Sequence, residues 1–140
     1  MAQTFATEVA GLNTIPDSKS NGALQNARLR RFRATITLAS QADGDTVVLA
    51  DVPAGHAFAF GILNASATLG TSTIAIGISG TPAKYRASAV FTAAAPTMFG
   101  VSTAVDDAPL TATERVILTN TTAALPSSGT LIVDLYFSAP

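Results

Sequence analysis

Apolar and polar residues alternate in Arg31-Phe32-Arg33-Ala34-Thr35-Ile36-Thr37-Leu38, with the even positions apolar. A period of two marks a strand with one buried face. The same period returns at Ile74, Ile76 and Ile78, which oppose Thr73, Ala75 and Gly77. It returns again at Tyr85, Ala87, Ala89 and Phe91, set between Arg86, Ser88 and Val90. The last strand, 130–138, has Leu131, Val133, Leu135 and Phe137 as its buried face. Apolar runs at 46–50, 56–66 and 115–119 read as further strands, and a short one is expected around 98–101 in the otherwise loop-like 94–109.

Turn formers separate these segments. Gln41-Ala42-Asp43-Gly44-Asp45 carries an Asp-Gly turn signal, and Val52-Pro53-Ala54-Gly55 and Leu125-Pro126-Ser127-Ser128-Gly129 turn again. Gly80-Thr81-Pro82 is expected to end a strand. Thr111-Ala112-Thr113-Glu114 fits a capping box, but β-rich residues follow at once, so at most one helical turn is expected. Seven or eight strands with turns about every dozen residues predict an all-β fold: an antiparallel β-sandwich or jelly-roll-like domain over 28–140. Residues 1–27 hold no sustained period and are rich in turn formers, which predicts an extended N-terminal arm.

That arm carries Phe5, Val9, Leu12, Ile15 and Leu24, apolar positions for which a solvated tail has little use. They are candidate contacts to a neighbouring subunit. Ordering the backbone costs about 1–2 kcal/mol per residue. A fully buried anchor returns roughly 1.5–3 kcal/mol. Five anchors therefore require help from backbone hydrogen bonds to a neighbour.

The 140 residues are enough for one packed domain. Hydrophobic residues make up 48% and charged ones only 12%, which excludes disorder. A net charge of -1 gives no global reason to bind nucleic acid or a membrane. The first residues lack a signal-type apolar core and no apolar run is long enough to span a bilayer, so the expectation is a soluble protein without an export signal. No cysteine is present, which removes disulfides and thiolate chemistry and suits assembly in a reducing cytoplasm.

Catalytic chemistry is thin. His56 is the single histidine, and no serine or carboxylate stands at a motif spacing from it. Asp43 with Asp45, or Asp106 with Asp107, could offer oxygens to a cation, but neither pair matches a calcium loop, and acidic turn residues serve local hydrogen bonding. The sequons at Asn64 and Asn120 read as chance matches in a Ser/Thr-rich chain. Neither a cofactor nor an enzymatic activity is expected. Arg28, Arg30, Arg31 and Arg33 hold half of the Lys and Arg. With the strand starting at Arg31, Arg31 and Arg33 share its polar face and Arg28 and Arg30 lie in the lead-in. They read as an anchor for carboxylates on a partner protein, or as a solvated face with local ion pairs; a nucleic-acid patch is the sharper alternative, but no exposed aromatic stacking set accompanies it.

The order and spacing of Leu69-Gly70-Thr71-Ser72-Thr73-Ile74-Ala75-Ile76-Gly77, Lys84-Tyr85-Arg86-Ala87, Leu110-Thr111-Ala112, Glu114-Arg115-Val116-Ile117, Ala124-Leu125-Pro126 and Gly129-Thr130-Leu131-Ile132-Val133 resemble the capsid decoration (cement, head-stabilisation) proteins of tailed bacteriophages. Val52-Pro53-Ala54-Gly55 resembles the turn such proteins place before a strand. The resemblance spans roughly 45–138. It implies a module on the outer capsid surface, often a trimer, that bridges major capsid protein subunits. Another virion part, such as a head-fibre base, a tail-tube or a receptor-binding module, is the alternative. The absence of Trp argues against a sugar-binding platform.

Overall fold

The computed structural model describes residues 27–105 and 108–139. Every regular element among them is a strand. In chain order these are β1 (Arg28–Thr37), β2 (Thr46–Val52), β3 (Ala57–Ala65), β4 (Thr73–Ile78), β5 (Thr81–Val90), β6 (Thr97–Phe99), β7 (Glu114–Thr121) and β8 (Thr130–Ala139). They form two four-stranded sheets, β1-β8-β3-β6 (sheet I) and β2-β7-β4-β5 (sheet II). All pairings are antiparallel. The pairs β1·β8, β2·β7, β3·β6 and β4·β5 are those of a long hairpin rolled on itself, and the antiparallel β-sandwich is the one expected.

The two inner faces meet in one core. Sheet I supplies Ile36, Phe58, Leu63, Leu131, Val133, Leu135 and Phe137, and sheet II supplies Leu49, Val52, Ile74, Ile76, Tyr85, Val116 and Leu118. The alternation read in β1 and β8 is the alternation observed, since Phe32, Ala34 and Ile36 face the core across from Leu135, Val133 and Leu131. An aromatic cluster closes one end of the sandwich. Phe58 lies 4.6 Å from Tyr85 and 5.3 Å from Phe137, and Phe32 meets Phe137 edge-on at 5.8 Å.

Elsewhere a polar hub holds the loops. Asn120 is 1% exposed, accepts from the Ser72 hydroxyl, and donates through Nδ2 to the carbonyls of Gln41, Ala42 and Ala123. Its amide is spent inside the fold, which removes the second sequon as a modification site. Asp45 accepts from the Ala42 amide at 2.8 Å, and Asp43 from the Thr122 amide at 3.0 Å. Both carboxylates thus do the local work of turn residues.

The strand before Gly80-Thr81-Pro82 ends at Ile78, as expected, and Thr81 and Pro82 open β5, an edge strand where a missing N–H is tolerated. One local expectation is corrected: the period of two in β5 fails. The β4–β5 register shifts twice, so Tyr85 and Phe91 are buried while Ala87 and Ala89 are exposed. The capping box forms no helical turn. Glu114 starts β7 and gives its carboxylate to Lys84 at 2.5 Å and Tyr85 at 2.8 Å.

Candidate interaction surface

Along β1 the even residues point inward, so the odd ones, Leu29, Arg31, Arg33 and Thr35, fall on the outer face of sheet I. Cross-strand register places Arg31 beside Tyr136, Arg33 beside Asp134 and Thr35 beside Ile132. The next strand continues each row, with Phe60 opposite Tyr136, Ile62 opposite Asp134 and Asn64 opposite Ile132. Met98 of β6 extends the middle row opposite Ile62.

The outer face is therefore aromatic and aliphatic at its centre. The Phe60 and Tyr136 rings stack at 4.7 Å with 18° between their planes. Ile62 and Ile132 are half-buried, while Met98 is 68% and Leu29 53% exposed. Tyr, Phe, Met and Arg are the residues enriched where protein surfaces meet. Gly61 makes this geometry possible from the other side of β3, because a Cβ there would lie 2.1 Å from Cζ of Phe99, whose ring covers it.

One ion pair crosses this face. Arg33 donates to both oxygens of Asp134, from Nε at 2.8 Å and from its terminal nitrogen at 2.7 Å. These bonds, more than the opposing effect of burial, hold the Asp134 carboxyl below the usual carboxylate range, and Arg31 adds a weaker attraction. The strand begins three residues earlier than the sequence suggests. Arg28 and Arg30 pair with Ala139 and Phe137, so they belong to β1 and not to a lead-in. Among the described residues Arg28, Arg30 and Arg31 form no ion pair. The arginine group thus divides into one residue spent internally and three available. Phe5, Val9, Leu12, Ile15 and Leu24 lie outside the described residues.

A shallow cleft of about 500 Å³ opens beside the start of β1, lined by Arg30, Arg31, Phe32, Ala54, Gly55, His56 and Ala139. Its lining carries cations but no hydroxyl or carboxylate, so the histidine has no triad partner in it. His56 meets Phe32 edge-on at 6.0 Å, and its Nδ1 is buried without a hydrogen-bond partner among the described residues. A second cleft of about 220 Å³ holds Lys84, Tyr85 and Glu114. Burial first, then its hydrogen bond to Glu114, raises the Tyr85 hydroxyl well above its ordinary pKa, so it stays protonated as the donor to that carboxylate. No cluster of three or more metal-ligating side chains occurs among the described residues.

No family model matches the chain, and no curated protein matches it. Among solved structures it is similar to a chain in the capsid asymmetric unit of cyanophage Pam1, with a TM-score of 0.64 and 13% identity over 81% of this chain and 86% of that one. It is also similar to a chain in the capsid of Ralstonia phage GP4, with a TM-score of 0.63 and 20% identity over 83% of this chain and 86% of that one. At these identities the likeness is one of fold.

Proposed function

We propose that this chain is a structural protein of a tailed-phage virion, made in the host cytoplasm. In this reading it sits on the outer capsid surface and cements neighbouring major capsid protein subunits. The observation that carries it is the shared fold, over more than four-fifths of both chains, with two chains that belong to phage capsids. The outer face of sheet I supports it. That face presents a stacked aromatic pair, aliphatic side chains and Arg31, which forms no ion pair among the described residues, and it suits an apolar protein surface that carries carboxylates.

A homo-oligomer, with a trimer favoured, would multiply these contacts around a symmetric shell by raising the effective concentration of each successive contact. Phe5, Val9, Leu12, Ile15 and Leu24 are proposed as further anchors to a neighbouring subunit. This role asks for no catalytic group or cofactor.

The reading is tested by imaging purified particles made with and without the chain. The expected result is ordered density on the outside of the shell that disappears with the chain, together with release of the genome at a lower temperature. Particles that never contain the chain, or that hold it inside the shell or in the tail, would overturn it.

A further inference from the structure

Every open sheet has two edges, and an unprotected edge invites another strand. Three of the four edges here are blunted. β6 has only three residues. β2 carries a bulge between Val48 and Ala50. β5 carries Pro82 and two register shifts. The Arg86 guanidinium also caps β5, donating to the carbonyls of Ile74, Ala89 and Val90.

β1 is different. It runs for ten residues without proline, glycine or bulge, in unbroken register from Arg28 opposite Ala139 to Thr37 opposite Thr130. Its other side has no strand partner among the described residues. What guards it is charge alone, from Arg28, Arg30 and Arg31. The other described cations are engaged: Arg33 with Asp134, Lys84 with Glu114, Arg115 with Asp51, and Arg86 with backbone carbonyls.

We propose that the free edge of β1 accepts an extended strand from a different protein chain, one that carries Asp or Glu at alternate positions. Main-chain hydrogen bonds supply the pairing, and the arginines select the sequence. Alternation puts Arg28 and Arg30 on one side of β1, so carboxylates at positions i and i+2 of the incoming strand meet both. The cleft lined by Arg30, His56 and Ala139 leaves room for them on that side.

A second copy of β1 is disfavoured, because it brings four more arginines to an edge whose nearest carboxylate, Asp134, is already taken. Residues 1–26 fit poorly as occupant, since their acidic residues are Glu8 and Asp17, far apart in sequence. The inference does not depend on the virion reading.

The test uses the full chain and three fluorescein-labelled peptides, read by anisotropy at low salt. One alternates Glu and Val; the second is the same peptide N-methylated at alternate residues; the third alternates Lys and Val. The expected result is binding of the first, at least about tenfold weaker binding of the methylated form, and none of the third. The double variant Arg28→Glu with Arg30→Glu should reverse the preference toward the Lys peptide. If that variant does not fold, the three peptides on the unaltered chain still decide. Equal binding of the methylated peptide would mean attraction by charge alone and overturn the proposal. So would no binding of the acidic peptide at millimolar concentration, or self-association of the chain through β1. Binding that requires removal of residues 1–26 would make that segment the occupant and overturn it as well.

Discussion

The two outer faces of the sandwich are built from the same architecture and differ in what they display. Sheet I presents the Phe60–Tyr136 stack, Ile62, Ile132, Met98 and Leu29, and arginines with one internal partner among them. Sheet II presents Ile117, Thr119, Thr73 and Thr121, with the smaller Val48 and Val90 as its exposed apolar residues and Arg115–Asp51 as a solvated pair. Sheet II is also partly covered by its own chain. The start of β5 folds back so closely that a Cβ on Gly77 would lie 2.2 Å from the Thr81 carbonyl oxygen. One face spends its residues on the fold, whereas the other leaves large side chains available. A surface available without an internal purpose is where a partner is to be sought.

The largest effect expected from this contrast is on attachment. Replacing Phe60 and Tyr136 together by Ala should weaken binding to particles by about 2–4 kcal/mol, as for a central aromatic pair at an interface. Thermal stability should fall much less. Val48→Ala with Ile117→Thr on sheet II should leave attachment unchanged in the same co-sedimentation assay. Equal losses from both double variants would erase the distinction between the faces.

Gly77→Ala reverses the pattern. The added methyl meets backbone of Thr81 and Pro82, which cannot rotate away. A loss of about 1–3 kcal/mol in urea unfolding is expected, with attachment of the folded fraction intact. The cost belongs to sheet II because its outer side is packed by β5.

Arg33→Leu sharpens the account of sheet I. The Asp134 carboxyl has a lowered pKa in the folded chain, and in the unfolded chain it titrates near 4. Its pairing therefore stabilises the fold above about pH 4, and that contribution is lost as pH falls through the lower folded value. The variant should melt below the parent at pH 7, and the gap should narrow as the pH drops below 4. A gap independent of pH would assign the loss to packing of the Arg33 stem. The smallest effect is expected for Asp51→Asn. Its partner Arg115 sits in solvent on sheet II, and exposed pairs are screened, so no resolvable change in melting temperature is expected.

Much of the sandwich is legible in the sequence because burial on one face writes a period of two. β8 shows this plainly, with Leu131, Val133, Leu135 and Phe137 inward and Asp134 and Tyr136 outward. β5 is illegible for a physical reason. Its bulges break the period, and they are held by Arg86 reaching carbonyls, a contact no local pattern encodes. The outer face of sheet I was hidden in a similar way. Phe60 and Ile62 lie in the apolar run of β3, where both faces are apolar and a bulge after Phe58 resets the alternation. The arginine group was visible as a cluster. Its division was not, because the residue that claims Arg33 is 101 positions away.

The most direct test of the account is a reconstruction of particles carrying the chain, at a resolution that distinguishes its two sheets. The account predicts the chain on the outside of the shell, with Phe60, Tyr136 and Met98 of sheet I covered by the capsid and Val48 and Arg115 of sheet II facing solvent. A chain seated on the shell through sheet II, with the Phe60–Tyr136 stack open to water and to neighbouring copies alike, would contradict it.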